Sequence, residues 1–167
     1  MAAKKTIAII GATEKSVTKV AGQLAQANYR LLLVSDNNFQ PGKLSGFIRK
    51  HRQVAEIERI DCAKDGCWEA DIIMLAIPVD KEKEIVEKIK EVATQKIVAV
   101  LLNNENDVSF ISAKELQRLL PHSKTAAIFI SPEAEVFITS DDDEATETLS
   151  NIFKTAGFNP VVTGKEV

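Results

Sequence analysis

Short runs of consecutive apolar residues recur along the chain, and amphipathic segments separate them. The first run, residues 5–11, ends in glycine, and Pro78 stops the run at 71–77. Runs that are apolar on both faces are typical of strands in a buried parallel sheet. The segment 14–27 instead spaces its apolar residues by three and four, which predicts a helix. The pattern predicts strands at 5–11, 30–35, 54–60, 71–77, 96–102, 124–130, 135–139 and 159–163, and helices at 14–27, 44–51, 81–92 and 112–120, with a last helix that begins at 141–144.

Residues at the predicted helix ends support these boundaries. Asp80 is placed to cap the helix at 81–92. Ser112 and Glu115 form a capping-box pattern at the start of the next helix. The acidic run 141–144 suits the positive end of the last helix dipole, and we expect Gly157 to end that helix as its C′ glycine.

Strands and helices alternate throughout, which predicts an α/β fold with right-handed β-α-β crossovers. We expect a three-layer, doubly wound parallel sheet with strand order 3-2-1-4-5-6. The short strands at 135–139 and 159–163 should extend this sheet beyond the sixth strand. No repeat, linker or low-complexity segment divides the sequence, so we expect residues 1–167 to form a single domain.

Composition and charge narrow the possible functions. Apolar residues make up 45% of the chain and charged residues 27%, which is typical of a globular protein. The formal net charge of -3 argues against nucleic acid as a partner, because phosphate binding favours a basic face. No apolar run approaches the ~18 residues of a membrane span, and the first residues do not resemble a signal peptide. We therefore expect a cytoplasmic protein that binds neither nucleic acid nor membrane.

The sequence offers few groups for catalysis by the protein itself. His51 and His122 are isolated, and the spacing of Cys62 and Cys67 fits neither a C-x-x-C redox pair nor a zinc site. Trp68 is expected to pack a helix or loop against the sheet. No metal site is expected, and no catalytic residue can be assigned. If the protein is an enzyme, a bound cofactor must supply the chemistry.

Three turns at the predicted carboxyl edge of the sheet are candidates for ligand binding. The turn at 11–17 keeps only the first glycine of a dinucleotide fingerprint, a pattern that a turn without a ligand also shows. Asp36 is placed to accept ribose hydroxyls and to repel a 2′-phosphate, although an Asp-Asn-Asn turn forms without a ligand too. The candidate binding residues are Gly11, Ala12, Thr13, Glu14, Lys15 and Ser16 in the first turn, Ser35 and Asp36 in the second, and Ala76, Ile77 and Pro78 in the third.

Several segments match, in order and spacing, the motifs of one family. The matching segments are 7–13, 31–36, 70–78, 120–129, 140–145 and 157–164. Through them the chain resembles the NADP oxidoreductases that depend on the deazaflavin coenzyme F-420, and the resemblance covers nearly the whole chain. It implies a Rossmann-type fold, NAD or NADP as cofactor and hydride transfer as the reaction. A homodimer is a further expectation carried over from the family.

The chain departs from the family pattern where the cofactor would bind. Glu14 and Val17 replace glycines, the first of which lets a pyrophosphate approach the backbone. Asp36 replaces the arginine that holds the 2′-phosphate of NADP, so it favours NAD. The family's further helices, which help to form the deazaflavin pocket and the dimer, are expected to be missing after the last strand.

Two other functions remain open. A non-catalytic nucleotide-sensing or scaffold domain fits the altered positions Glu14 and Val17. A coenzyme A-binding Rossmann domain fits the turn that begins Gly11-Ala-Thr13. In each case the expected ligand is a dinucleotide or another nucleotide.

Overall fold

The computed structural model describes residues 5–11, 15–27, 29–34, 57–60, 62–76, 79–102, 113–131, 133 and 135–163. Their strands are β1 (Thr6–Ile10), β2 (Arg30–Val34), β3 (Ile57–Ile60), β4 (Ile72–Leu75), β5 (Ile97–Leu102), β6 (Lys124–Ile130), β7 (Glu135–Thr139) and β8 (Asn159–Val162). Their helices are α1 (Lys15–Gln26), α2 (Ala63–Glu69), α3 (Val79–Ile89), α4 (Ala113–Leu119) and α5 (Asp143–Thr155). Within these ranges no helix is long and apolar enough to cross a membrane.

The strands form one sheet in the order β3-β2-β1-β4-β5-β6-β7-β8. Every neighbouring pair from β3 to β6 is parallel. The chain moves outward from β1 to β3 and then returns to the other side of β1 at β4. The structure thus confirms the doubly wound α/β fold and the expected strand order, including the position of the last two strands.

The outer part of the sheet differs from the all-parallel expectation. β7 runs antiparallel to β6, and β8 is parallel to β7. The chain between Ile130 and Glu135 is too short for a parallel crossover, which needs about a dozen residues. The reversal of β7 therefore follows from the length of the connection.

Alternate residues of the central strands face two layers of helices. Ile7 and Ile9 belong to a core that includes residues of α1 and α5. Ala8 and Ile10 belong to a second core, built with residues of α2, α3 and α4. This alternation explains why β1 is apolar at every position, since both of its faces are buried.

Two helices differ from their predictions. α3 begins at Val79, so Asp80 lies within the helix and does not cap it from outside. α2 was not predicted, because its seven residues include a glycine and carry no clear apolar stripe. The helix predicted at 44–51 lies outside the described residues, as do the first residues of the strand predicted at 54–60.

The predicted end of α5 is confirmed. Gly157 has a φ of 92°, a left-handed conformation that suits glycine. Its N–H donates to the carbonyl of Lys154 at 3.1 Å, and the N–H of Phe158 donates to that of Phe153 at 2.9 Å. The two phenylalanine rings meet edge to face at 5.7 Å. These contacts form a Schellman motif with its apolar contact, which fixes the direction in which β8 begins.

Candidate functional site

The strand order reverses between β1 and β4, because β2 and β3 lie on one side of β1 and β4 lies on the other. The candidate site lies at the carboxyl ends of these two strands. Ile10 and Leu75 are paired at this edge, and the N–H of Ala76 donates to the carbonyl of Ile10 at 2.9 Å. α1 and α3 follow these two strands and pack on opposite faces of the sheet. In open α/β sheets the crevice between two such helices is the usual place for a ligand.

Gly11 turns the chain from β1 towards α1. It is buried and has a φ of 92°, which a residue with a side chain rarely adopts. Its N–H donates to the carbonyl of Val34 at 3.1 Å, which ties the turn to the end of β2. Because that N–H is already used, Gly11 shapes the turn and does not offer its own amide to a ligand.

The N-terminus of α1 lies just beyond this turn. The helix begins at Lys15 and has twelve residues, and its first turn contains no acidic residue. The free N–H groups and the dipole at such an end favour an anion. The edge between β1 and β4 therefore offers a place for a phosphate.

The structure brings together four of the residues that the sequence analysis selected. The backbones of Gly11, Lys15, Ser16 and Ala76 lie at or next to the edge between β1 and β4. The other candidates, which lie outside the described residues, are Ala12, Thr13, Glu14, Ser35, Asp36, Ile77 and Pro78. A binding role for all of these residues stays a prediction.

One residue of the family-like segment 70–78 has a structural role that the sequence did not reveal. The carboxylate of Asp71 accepts a hydrogen bond from the N–H of Thr6 at 2.9 Å, and the N–H of Asp71 donates to the carbonyl of Thr6 at 2.8 Å. These bonds join the beginnings of β1 and β4. Asp71 thus aligns the two strands whose opposite ends form the candidate site.

A second concave region lies between α2 and α3, on the opposite face of the sheet from α1. It is a cleft of about 620 Å³. Its lining residues are Cys62, Ala63, Lys64, Glu87, Lys88, Lys90 and Glu91. The sequence did not predict this cleft, because its two walls come from segments that are separated by β4.

The two cysteines and Trp68 occupy contrasting environments around α2. Cys62 is exposed and Cys67 is buried, and burial raises the pKa of the Cys67 thiol to about 12. Trp68 is 71% exposed, so the expectation that it packs against the sheet is wrong. Lys96 donates to the carbonyls of Cys67 and Trp68 at 2.5 and 2.6 Å and so binds the end of α2. Burial lowers the pKa of Lys96.

In sequence comparisons, no protein-family model and no curated protein matches the chain. Solved structures do match it. One is a diketoreductase that acts on dicarbonyl compounds, with a TM-score of 0.77 and 15% identity over 100% of this chain and 66% of that one. Another is a candidate F420-dependent NADP-reductase from Arthrobacter sp. FB24, with a TM-score of 0.74 and 17% identity over 95% of this chain and 84% of that one.

A third similar structure is the pyrroline carboxylate reductase of Plasmodium falciparum with NADP bound. Its TM-score is 0.69, with 12% identity over 96% of this chain and 58% of that one. The chain thus spans less than two thirds of the length of this reductase and of the diketoreductase. These likenesses confirm the Rossmann fold, and they include a structure described as a candidate F420-dependent NADP-reductase, the family that the sequence resembles.

Proposed function

We propose that the chain binds a nicotinamide dinucleotide at the carboxyl edge of the sheet, as the cofactor domain of an oxidoreductase. The observation that carries the proposal is Gly11, a left-handed glycine that lies where the strand order reverses, between the end of β1 and the start of α1. A turn of this kind lets a pyrophosphate approach the start of the helix closely.

Each described residue at this edge has a defined part in the proposal. Gly11 shapes the turn, the backbone amides of Lys15 and Ser16 lie in the first turn of α1, and Ala76 borders the crevice from β4. When bound, the cofactor supplies the hydride. The protein positions the nicotinamide against an acceptor and needs no acid or base of its own for that step.

The similar structures support a dinucleotide as the ligand. The Plasmodium falciparum enzyme is a reductase with NADP bound, and the Arthrobacter protein is described as an NADP-reductase. Within the proposal, Asp36 accepts the hydroxyls of the adenosine ribose, so NAD should bind at least as tightly as NADP. We place this activity in the cytoplasm, with residues 1–167 acting as one domain.

Calorimetric titration of the purified chain with NAD, NADP and coenzyme A tests the proposal. We expect Gly11→Ala to weaken NAD binding by about tenfold or more, because alanine resists the left-handed turn. Gly157→Ala is the matched control, since Gly157 has the same φ of 92° and lies at the β8 end of the sheet. It should lower stability but leave NAD affinity unchanged.

Three outcomes would contradict parts of the proposal. Failure of the wild type to bind either dinucleotide would exclude the cofactor site. Binding of coenzyme A alone would favour the alternative of a coenzyme A-binding Rossmann domain. NAD binding that is weakened equally in both glycine variants would show that Gly11 acts through stability and not through the site.

A further inference from the structure

A hydrogen bond joins the end of β2 to the turn at Gly11. The carbonyl of Val34, the last residue of β2, accepts this bond from the N–H of Gly11 at 3.1 Å. Val34 is also paired with Ile10, the last residue of β1. It directly precedes Ser35 and Asp36, two of the candidate binding residues. The geometry of the Gly11 turn therefore depends on where Val34 lies.

α2 packs against Val34 at Gly66, where no space is left for a side chain. A Cβ built on Gly66 would lie 2.7 Å from Cγ2 of Val34. This distance is well inside the ~3.5–4.0 Å at which carbon atoms pack without repulsion. The same Cβ would lie 3.6 Å from Cγ2 of Ile60, which is an ordinary contact. The clash that an added methyl group causes is therefore with Val34.

Both sides of this contact are held in place. Val34 is 1% exposed, and its branched side chain has only one stiff torsion with which to turn away. At the other end of α2, Lys96 donates to the carbonyls of Cys67 and Trp68, and Cys67 is fully buried. An added methyl group therefore displaces Val34 together with its carbonyl, which is the acceptor for the N–H of Gly11.

From these contacts we infer that Gly66 and Val34 are positioning residues for the proposed dinucleotide site. The close packing of α2 on β2 keeps the Gly11 turn in the shape that admits a pyrophosphate. Both residues act through the backbone at the end of β2, and neither is a candidate ligand contact. The inference rests on the proposed function, because it assigns these residues a part in the same site.

Calorimetric titration of Gly66→Ala with NAD and with ADP-ribose tests the inference. We expect binding of both ligands to weaken by about fivefold, because ADP-ribose carries the same pyrophosphate and adenosine. Gly157→Ala is the matched control, since it also adds a methyl group to a glycine and strains the chain at a φ of 92°, but at the β8 end of the sheet. It should bind both ligands as the wild type does. All titrations are made where circular dichroism shows the variants to be fully folded.

A second variant removes the contact without introducing a clash. Val34→Ala frees the end of β2 from α2 and should weaken NAD binding by about twofold. In this background Gly66→Ala should cause no further loss, because the methyl group that it would meet is gone. A loss of stability alone would not produce this rescue.

Amide hydrogen exchange reports the same link in the chain without a ligand. Exchange of the Gly11 N–H, relative to the amides of β6, should be faster in Gly66→Ala than in the wild type, because its bond to Val34 is weakened. Gly157→Ala should leave this ratio unchanged.

The outcomes separate this inference from the proposed function. A wild type that binds neither NAD nor ADP-ribose overturns the proposed function, and this inference with it. The inference alone is overturned if the wild type binds but Gly66→Ala binds equally well, if Gly157→Ala loses as much affinity, or if ADP-ribose binding is unaffected. It is also overturned if the loss persists in the Val34→Ala background or if the relative exchange of the Gly11 N–H does not change.

Discussion

Gln95 has a φ of 66°, the left-handed conformation that usually requires glycine. It lies in the turn between α3 and β5, and its N–H donates to the carbonyl of His122 at 2.6 Å. This long-range hydrogen bond fixes the turn that contains Gln95 against the turn that precedes β6. A residue with a side chain in this left-handed conformation lowers the stability of the fold by of order 1 kcal/mol.

Gln95→Gly is therefore expected to raise the free energy of unfolding by about 1 kcal/mol, since glycine adopts this φ without strain. Urea denaturation measures the change. Gln95→Ala is the control, because alanine keeps the strain and should leave stability near that of the wild type. A glycine variant less stable than the alanine variant would show that strain at this residue is negligible.

Glu14 and Val17 stand at the glycine positions of the family's first turn, and Glu14 lies outside the described residues. Changing both to glycine should tighten NAD binding, because it removes a carboxylate that competes with a phosphate at the helix start. The Val17 change should cost roughly 1 kcal/mol of stability. Calorimetry compares the variant with the wild type. Micromolar binding by the wild type, with no gain in the variant, would mean that Glu14 points away from the site.

Among the elements, α2 shows how a close contact can override helix propensity. A Cβ built on Gly66 would lie 2.7 Å from Cγ2 of Val34, so only glycine lets this helix approach the sheet so closely. Lys96 then holds its last carbonyls. Val34 of β2 and Lys96, which directly precedes β5, are distant from α2 in the sequence and thus determine where it lies.

Gly66→Ala should lower the free energy of unfolding by about 1–3 kcal/mol, because the clash with a buried valine outweighs the better helix propensity of alanine. Thermal and urea denaturation measure the loss. Lys64→Ala, at an exposed position of the same helix, should change stability little. An increase in the stability of Gly66→Ala would mean that α2 packs less closely than the structure shows.

For the whole molecule, the burial of Cys67 links stability to pH. The unfolded chain loses the thiol proton above about pH 9, whereas the folded chain keeps it until about pH 12. The folded state therefore binds more protons in this range, and the free energy of unfolding falls as the pH rises through it. Below about pH 8 the thiol is neutral in both states and this loss is absent.

We expect the stability of the wild type to fall by about 1 kcal/mol more than that of Cys67→Ala between about pH 8 and pH 10. Urea denaturation at several pH values measures the difference between the two slopes, so groups that titrate in both proteins cancel. Cys62→Ser should follow the wild type. Parallel curves for the wild type and Cys67→Ala would contradict the argument.

The pattern of apolar residues was enough to predict most of the sheet. The bounds of β6 and β7 coincide with the predicted ranges 124–130 and 135–139. The strand order followed as well, because strands that are apolar on both faces must lie between helical layers and because crossovers are right-handed. The end of α5 at Gly157 was equally local, since one left-handed glycine defines it.

The tertiary structure alone decided the existence of α2, the exposure of Trp68 and the cleft that contains Cys62. Each depends on contacts between segments that are far apart in the sequence, as Gly66 with Val34 and Lys96 with the end of α2 illustrate. Periodicity reports only whether a face is apolar. It carries no information on which distant surface meets that face or how closely, and it is this geometry that determines which thiol is buried and which is exposed.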